Sequence, residues 1–341
     1  MDERVRVLVL GTGQMGSGIA RLVLEKPALQ LVGAYGRRTQ RAGTDLGRAI
    51  GLGRDLGLPI GADLDAVVAR TRPHVAVQAT CSRLADALPE IYTLVRRGVR
   101  VVSIAEEMAY PAATAREDAA ALRRLAIAHG AAVVGTGINP GFVLDLLVIT
   151  LTGVCADVRS ITATRVNDLS PYGPSVLGMQ GVGLTVAAFR EGLTDGTVVG
   201  HVGFPQSVRM IADTLGWTID RIEETREPIV TRVRRETPFV TVEPGHVAGC
   251  LHTAAAYRGA QRLITLVHPQ QVHPHLEGVE TGDTIEIAGT PTVRLTGRPE
   301  IPGGAGTVAL AVNMIPRVLH APPGLYAMSD LPVPAAMLGA E

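Results

Sequence analysis

Residues 6–16 read RVLVLGTGQMG, and the order of elements in that stretch decides the fold. Arg6–Leu10 is a short β-branched, apolar run, the pattern of a buried parallel strand. Gly11, Thr12, Gly13, Gln14, Met15 and Gly16 follow at once. Ile19, Ala20, Leu22 and Val23 then recur at helical spacing as far as Pro27. In such a strand–loop–helix the first glycine permits a tight turn. The second lets the backbone approach a pyrophosphate, and the third lets helix and strand pack closely. The helix start adds N–H donors and a dipole that favours an anion. The stretch therefore predicts a dinucleotide-binding loop.

Working outward, apolar strands are expected at residues 29–35, 75–79, 99–105 and 132–135, with helices over 84–97 and 113–129. This alternation predicts an α/β Rossmann domain, a doubly wound parallel sheet, over residues 1–150. The texture changes near residue 155. An alternating strand over 158–166, helices over 183–191 and 206–215, and stretches rich in Val, Thr and Arg follow at 218–233, 239–242, 248–257, 262–267 and 284–295. These read as antiparallel strands of one sheet. They predict an α+β substrate and dimerisation domain over 151–305, built on an open mixed sheet. Residues 306–341, an apolar helix over 307–319 and a Pro-rich tail, are expected to pack back on the first domain.

Composition narrows the function. Thirty-two basic and 32 acidic residues give a net charge of zero, so no surplus points to nucleic acid or an anionic membrane. The N-terminus shows no export signal, and no apolar stretch approaches the roughly 18–20 residues of a spanning helix. Three scattered cysteines, Cys81, Cys155 and Cys250, suit a reducing compartment, and a cytoplasmic location is expected. Lys26 is the only lysine. It stands near the end of the first expected helix, just before Pro27 and far from where an active site should lie, so lysine chemistry is effectively excluded.

The second strand ends in Gly36-Arg37-Arg38-Thr39. The carboxylate that normally holds the ribose hydroxyls of NAD is missing there. Two guanidinium groups suit a 2′-phosphate instead, so NADP is expected as the preferred cofactor, with NAD possible. Three more strand ends reach the ligand edge: residues 79–82 with Thr80 and Cys81, residues 103–111 with Glu106 and Glu107, and residues 135–142 with Asn139, Pro140 and Phe142. Thr80, Cys81, Asn139 and Pro140 are placed on the cofactor side, and Phe142 on the substrate side. Partial burial of a carboxyl at such an edge raises its pKa toward that of a general base. Acidic residues also favour a first helical turn, and the sequence does not decide which glutamate does which. Asn139 suits either a carboxamide contact or an Asx turn. His268, His273 and His275 match no familiar metal spacing, with Pro269 and Pro274 bending the loop, so no metal is expected.

The segments GTGQMG (11–16), SIAEEMAYP (103–111), GTGINPGF (135–142), RVNDLSPYGPSV (165–176) and QGVG (180–183) resemble those of the 2,4-diaminopentanoate dehydrogenases and the related native amine dehydrogenases. Those enzymes are similar in fold to dihydrodipicolinate reductase. The resemblance spans both domains. It implies NAD(P)-dependent oxidative deamination of an amine, 2,4-diaminopentanoate giving 2-amino-4-oxopentanoate and ammonia, and the reverse reductive amination. It implies a catalytic glutamate, Glu106 first and Glu107 second. It also places Arg165 and His201 on the substrate carboxylate, with Tyr172 lining the pocket. Water addition to the iminium and loss of ammonia both need proton transfer, which a glutamate supplies where lysine is absent. A homodimer is expected by analogy of fold. The alternatives are an amine dehydrogenase for simple ketones lacking a carboxylate, and a non-catalytic NADPH-binding sensor.

Overall fold

The computed structural model describes residues 4–338. The chain opens with β1 (Val5–Leu10), α1 (Gln14–Leu24) and β2 (Leu29–Tyr35). It continues through α2 (Leu46–Ala49), β3 (Ile60–Gly61), α3 (Leu64–Thr71), β4 (Val75–Gln78), α4 (Leu84–Arg96), β5 (Arg100–Ser103), α5 (Arg116–Ala128) and β6 (Ala132–Gly135). Next come α6 (Leu146–Thr152), β7 (Asp157–Asp168), α7 (Pro174–Met179), α8 (Val186–Asp195), α9 (Phe204–Thr214), β8 (Arg221–Val230), β9 (Arg235–Glu236), β10 (Thr241–Val242), β11 (Val247–Arg258), β12 (Gln261–Gln271), β13 (Gly282–Thr290) and β14 (Val293–Gly297). The chain closes with α10 (Gly303–Asn313), α11 (Ile315–His320) and β15 (Gly324–Tyr326).

The chain divides into two compact units. The first runs to Phe142 and resumes at Gly303, and the second is Val143–Pro302. α6 falls in the second unit, where it packs on α9 and Asp145 just before it accepts a hydrogen bond from Ser207 Oγ (2.8 Å).

In the first unit seven strands lie in the order β15-β6-β5-β4-β1-β2-β3, all parallel. The central strands are buried on both faces, which is why they read as unbroken apolar runs rather than alternating ones. One face is covered by α3, α4 and α5, where Leu8, Ile91, Leu94, Met108, Leu122 and Val133 share a core. α1 packs on α10, and α11 lies against β5 and β6. Strand order reverses between β1 and β4, the switch point at whose carboxyl ends ligands bind in such sheets. The Pro-rich tail also contributes a short strand, β15, for which the sequence shows no strand pattern. The expected helix over 307–319 is two helices, broken where Pro316 starts α11.

In the second unit six strands are ordered β14-β13-β7-β12-β11-β8. β12 runs parallel to β7 and the other neighbours are antiparallel, so the sheet is mixed. The strands read as uniformly antiparallel are corrected in three places. Besides the β12–β7 pairing, residues 239–242 contribute only β10, which pairs with β9 in a separate ribbon. Residues 284–295 are a hairpin of β13 and β14, turned at Pro291. β7 buries Ile161, Ala163, Arg165 and Asn167 on one face, and this period of two sets the polar site described below.

Candidate active site

The glycine loop has the geometry that its residues require. A Cβ on Gly11, whose φ is +102°, would stand 2.4 Å from the carbonyl oxygen of Ala79, so the loops after β1 and β4 are pressed together. A Cβ on Gly16 would stand 1.9 Å from the Gly11 carbonyl oxygen, and only glycine admits that helix–loop approach. Gly13 differs: a Cβ there meets nothing within 4 Å. It is also the N-cap of α1 and makes no side-chain cap, so the first N–H groups of the helix are not capped by its own side chain. Two closed glycines and one open one, beside an uncapped helix start, fit a pyrophosphate.

Beyond β2 the arginines have distinct partners. Arg37 donates Nε to Glu90 Oε1 (2.6 Å) and Nη2 to the Asp86 carbonyl (2.6 Å). Glu90 is a buried residue of α4 whose other oxygen accepts from Thr80 Oγ1 at 2.5 Å. Cys81 Sγ lies 3.6 Å from Arg37 Nη2. Thr80, Cys81 and Arg37 are thus one network around a buried carboxylate. Arg38 is exposed. Arg41, which sequence reasoning passed over, donates to the carbonyl of Thr12 at 2.7 Å. The signal was its place in Arg37-Arg38-Thr39-Gln40-Arg41, one helical turn on from the pair.

The two glutamates after β5 have different surroundings. Glu107 Oε2 accepts from the backbone N–H of Leu84 (2.7 Å), the first residue of α4, and Oε1 lies 3.7 Å from Arg83. It caps a neighbouring helix. Glu106 retains some exposed area but is closely surrounded. Burial pushes its carboxyl above the ordinary range, and the neighbouring Glu107 charge pushes the same way, against hydrogen bonds from its own backbone and from Ser82. Asn139 and Phe142 are half-buried and Pro140 is buried in the turn after β6. There a Cβ on Gly141 (φ +125°) would come within 2.6 Å of the Gly137 nitrogen.

In the second unit, Arg165 is 1% exposed and binds Asp283 Oδ1 at 2.6 Å and the Ile301 carbonyl at 2.5 Å. Asn167, one step along the same face, meets His268 Nε2 through Oδ1 at 3.0 Å. His201 is buried, with its ring 4.9 Å from that of His268 and 4.8 Å from Phe204. Its backbone N–H donates to His252 Nδ1, so His252 carries its ring proton on Nε2, which donates to Glu224 Oε2 (2.9 Å). Burial first, then the fields of His252, Arg165 and Arg226, hold His201 well below the ordinary histidine range, so it is neutral at pH 7. His268 is depressed likewise, by burial and then by His201 and Arg165.

Arg165 and His201 therefore share a neighbourhood, and Asn167, His252 and His268 join it from three strands. No local pattern marks them, since they come from β7, β11, β12 and the segment before α9, far apart in sequence. Three buried polar atoms here lack a protein partner: His201 Nε2, Gln180 Oε1 and Gln270 Nε2. Gln270 stands on β12 two residues from His268, and the amide nitrogen of Gln180 donates to the Gly200 carbonyl beside His201. Tyr172 is half-buried and packs on the apolar cluster of Leu169, Leu177 and Val182. Lys26, which follows α1, donates its Nζ to the Met337 carbonyl in the tail (2.6 Å).

Comparison with known proteins shows the family. Residues 142–341 match the family model of the 2,4-diaminopentanoate dehydrogenase C-terminal domain, and residues 5–104 that of the dihydrodipicolinate reductase N-terminus. The chain is 43% identical to a 2,4-diaminopentanoate dehydrogenase of Acetoanaerobium sticklandii, over 99% of this chain and 96% of that one. It is 27% identical to an amine dehydrogenase of Streptomyces virginiae over 98% of both. The solved amine dehydrogenase of Mycobacterium smegmatis superposes with a TM-score of 0.87 at 28% identity, covering 98% of this chain and 97% of that one. No helix among the described residues is long and apolar enough to cross a membrane. The chain belongs to the 2,4-diaminopentanoate dehydrogenase family, pyridine-nucleotide oxidoreductases that act on amine groups.

Proposed function

We propose that the enzyme oxidatively deaminates 2,4-diaminopentanoate at C4, giving 2-amino-4-oxopentanoate and ammonia, and runs the reverse reductive amination. The observation that carries this reading over a simple amine substrate is the set of buried atoms without partners in the second unit. Such atoms are costly unless something satisfies them. His201 Nε2 and Gln270 Nε2 can donate, and Gln180 Oε1 can accept. Two donors and an acceptor match a carboxylate beside an ammonium, the end of 2,4-diaminopentanoate that the reaction leaves unchanged. Arg165 adds positive charge nearby, shared with Asp283.

The dinucleotide, held by Gly11, Thr12, Gly13, Gln14, Met15 and Gly16 and flanked by Thr80, Cys81, Asn139 and Pro140, supplies the hydride acceptor when bound. Glu106 accepts a proton from the water that adds to the iminium carbon and returns one to the departing nitrogen. Burial raises its pKa, the direction that a general acid–base carboxyl needs. As an anion it also stabilises the cationic iminium. Glu107 positions α4. Glu107→Gln is expected to lower stability by about 1 kcal/mol, the worth of a helix cap, and to keep most of the turnover number. Urea melts and steady-state rates check both parts.

NADP is the preferred cofactor in this reading and NAD is tolerated. Arg37 is tied to Glu90, so the exposed Arg38 is assigned most of the 2′-phosphate contact, and Arg41 adds charge at the loop. Loss of one charge-assisted hydrogen bond costs roughly 1.5–3 kcal/mol. Arg38→Ala should therefore lower the NADP-to-NAD ratio of kcat/KM about tenfold or more, with little change for NAD. Free cysteines support a cytoplasmic setting, and the open edges β8 and β14 support a homodimer paired through the second sheet. Substrate profiling tests the whole reading. Simple ketones outperforming 2-amino-4-oxopentanoate with ammonia would favour the amine dehydrogenase alternative, and no ammonia-dependent oxidation of NADPH with any ketone would favour a sensor.

A further inference from the structure

The histidines of the 268–275 segment separate in the fold. His268 turns into the buried site, while His273 and His275 meet Asp168 from the far end of β7. One ligand atom from each of Asp168, His273 and His275 lies within 4.8 Å of the other two. Asp168 ends β7 beside Gln271 at the end of β12. The chain then turns through His273, which has a left-handed backbone (φ 44°), and the short turn from Pro274 brings His275 back, with the two rings 5.6 Å apart.

Two features orient these groups as ligands. His273 Nε2 stands 2.7 Å from the carbonyl oxygen of Glu236, which can only accept, so Nε2 carries the proton and Nδ1 presents its lone pair. A metal-binding imidazole is typically held this way, its second nitrogen donating to a backbone carbonyl. Asp168 Oδ1 accepts from Ser170 N, Ser170 Oγ and His273 N, and these bonds hold the carboxylate against the His273 backbone. We propose that Asp168, His273 and His275 bind a borderline divalent cation of the zinc type. The three protein ligands leave one position for water.

Zinc bonds of about 2.0–2.1 Å put tetrahedral ligand atoms roughly 3.4 Å apart. The widest separation, up to 4.8 Å, must therefore close by as much as about 1.4 Å, and the exposed His275 can supply most of that movement. Two nitrogen ligands and one oxygen favour zinc over magnesium, which takes oxygen ligands and keeps its water. The sequence spacing hid the set because its third ligand lies 105 residues upstream. The bound ion would clip the end of β7, the strand that carries Arg165 and Asn167, to the chain leaving β12.

The test uses the full chain, stripped with chelator and desalted. Titration with zinc chloride should show one ion per chain by calorimetry and a rise in Tm, with no response to magnesium chloride. His275→Ala, an exposed position, should weaken zinc binding roughly 100-fold or more, since loss of an outer-shell partner alone costs about 10–100-fold. Asp168→Asn should weaken it as well. Absence of zinc binding would overturn the proposal, and so would zinc binding that survives unchanged in His275→Ala. Neither readout depends on the substrate assignment.

Discussion

Glu106→Gln is expected to lower kcat for 2,4-diaminopentanoate oxidation by about 10²–10⁴-fold, the usual worth of a general acid–base group, while NADPH binding stays intact. The substituted amide keeps the size and can still bond Ser82, but it cannot take a proton from water. The pH dependence carries the same signature. Burial holds the native carboxyl above the usual glutamate value of about 4.3. The deamination rate should therefore rise with pH through a limb displaced above that value. Reductive amination, which needs the protonated acid, should fall over the same interval. Both limbs should vanish in the variant.

Stability moves the other way, which separates lost chemistry from lost fold. A carboxyl whose folded pKa is raised binds more protons folded than unfolded, so ionising it costs stability above the unfolded pKa. The neutral glutamine should match or exceed the parent Tm at pH 7–8. Steady-state kinetics, NADPH fluorescence and thermal melts together check the assignment. Near-normal turnover in Glu106→Gln, with loss in Glu107→Gln, would exchange the two roles.

Arg165→Met should be the most destabilising of these substitutions. It leaves Asp283 buried and unpaired, a change worth about 3–5 kcal/mol, since removing one partner of a buried pair uncovers the desolvated charge of the other. For a unit of this size that is a fall in Tm of roughly 6–20 °C. Converting both partners, Arg165→Met with Asp283→Leu, should restore much of the loss. Recovery should be partial, because the N–H and carbonyl of Ile301 bond this same pair. The double variant also isolates the functional question. If KM for 2,4-diaminopentanoate stays raised once stability has returned, the guanidinium contributes to substrate recognition. If KM recovers, Arg165 is a scaffold residue and the carboxylate rests on His201 and Gln270.

What could be read from the sequence was what is local. The glycine loop announces itself in six residues because Gly11 and Gly16 answer backbone constraints close by, Gly16 against Gly11 being the tighter, while Gly13 leaves open space between them. The central strands were legible because burial on both faces leaves an unbroken apolar run. β3 and β15, two and three residues long, are too short to show any period. The site divided along the same line. Glu106 and Glu107 stood out as a pair, but only their contacts tell them apart, and Leu84, which Glu107 caps, lies 23 residues away. The partner of Arg165 lies 118 residues on, and that of His268 101 residues back. No window of sequence joins them.

The pairing of β15 with β6 also bears on how the molecule is made. The chain leaves the first unit at Phe142 and re-enters it only at Gly303, so the whole second unit is synthesised before the first sheet receives its last strand. Until Tyr326 has left the ribosome, β6 is an apolar edge with unpaired N–H and carbonyl groups, the kind of edge that recruits other chains. The nascent first unit would spend that interval open to aggregation or to chaperone binding, while residues 143–302 emerge as one continuous stretch. The unit that begins first is the one that finishes last.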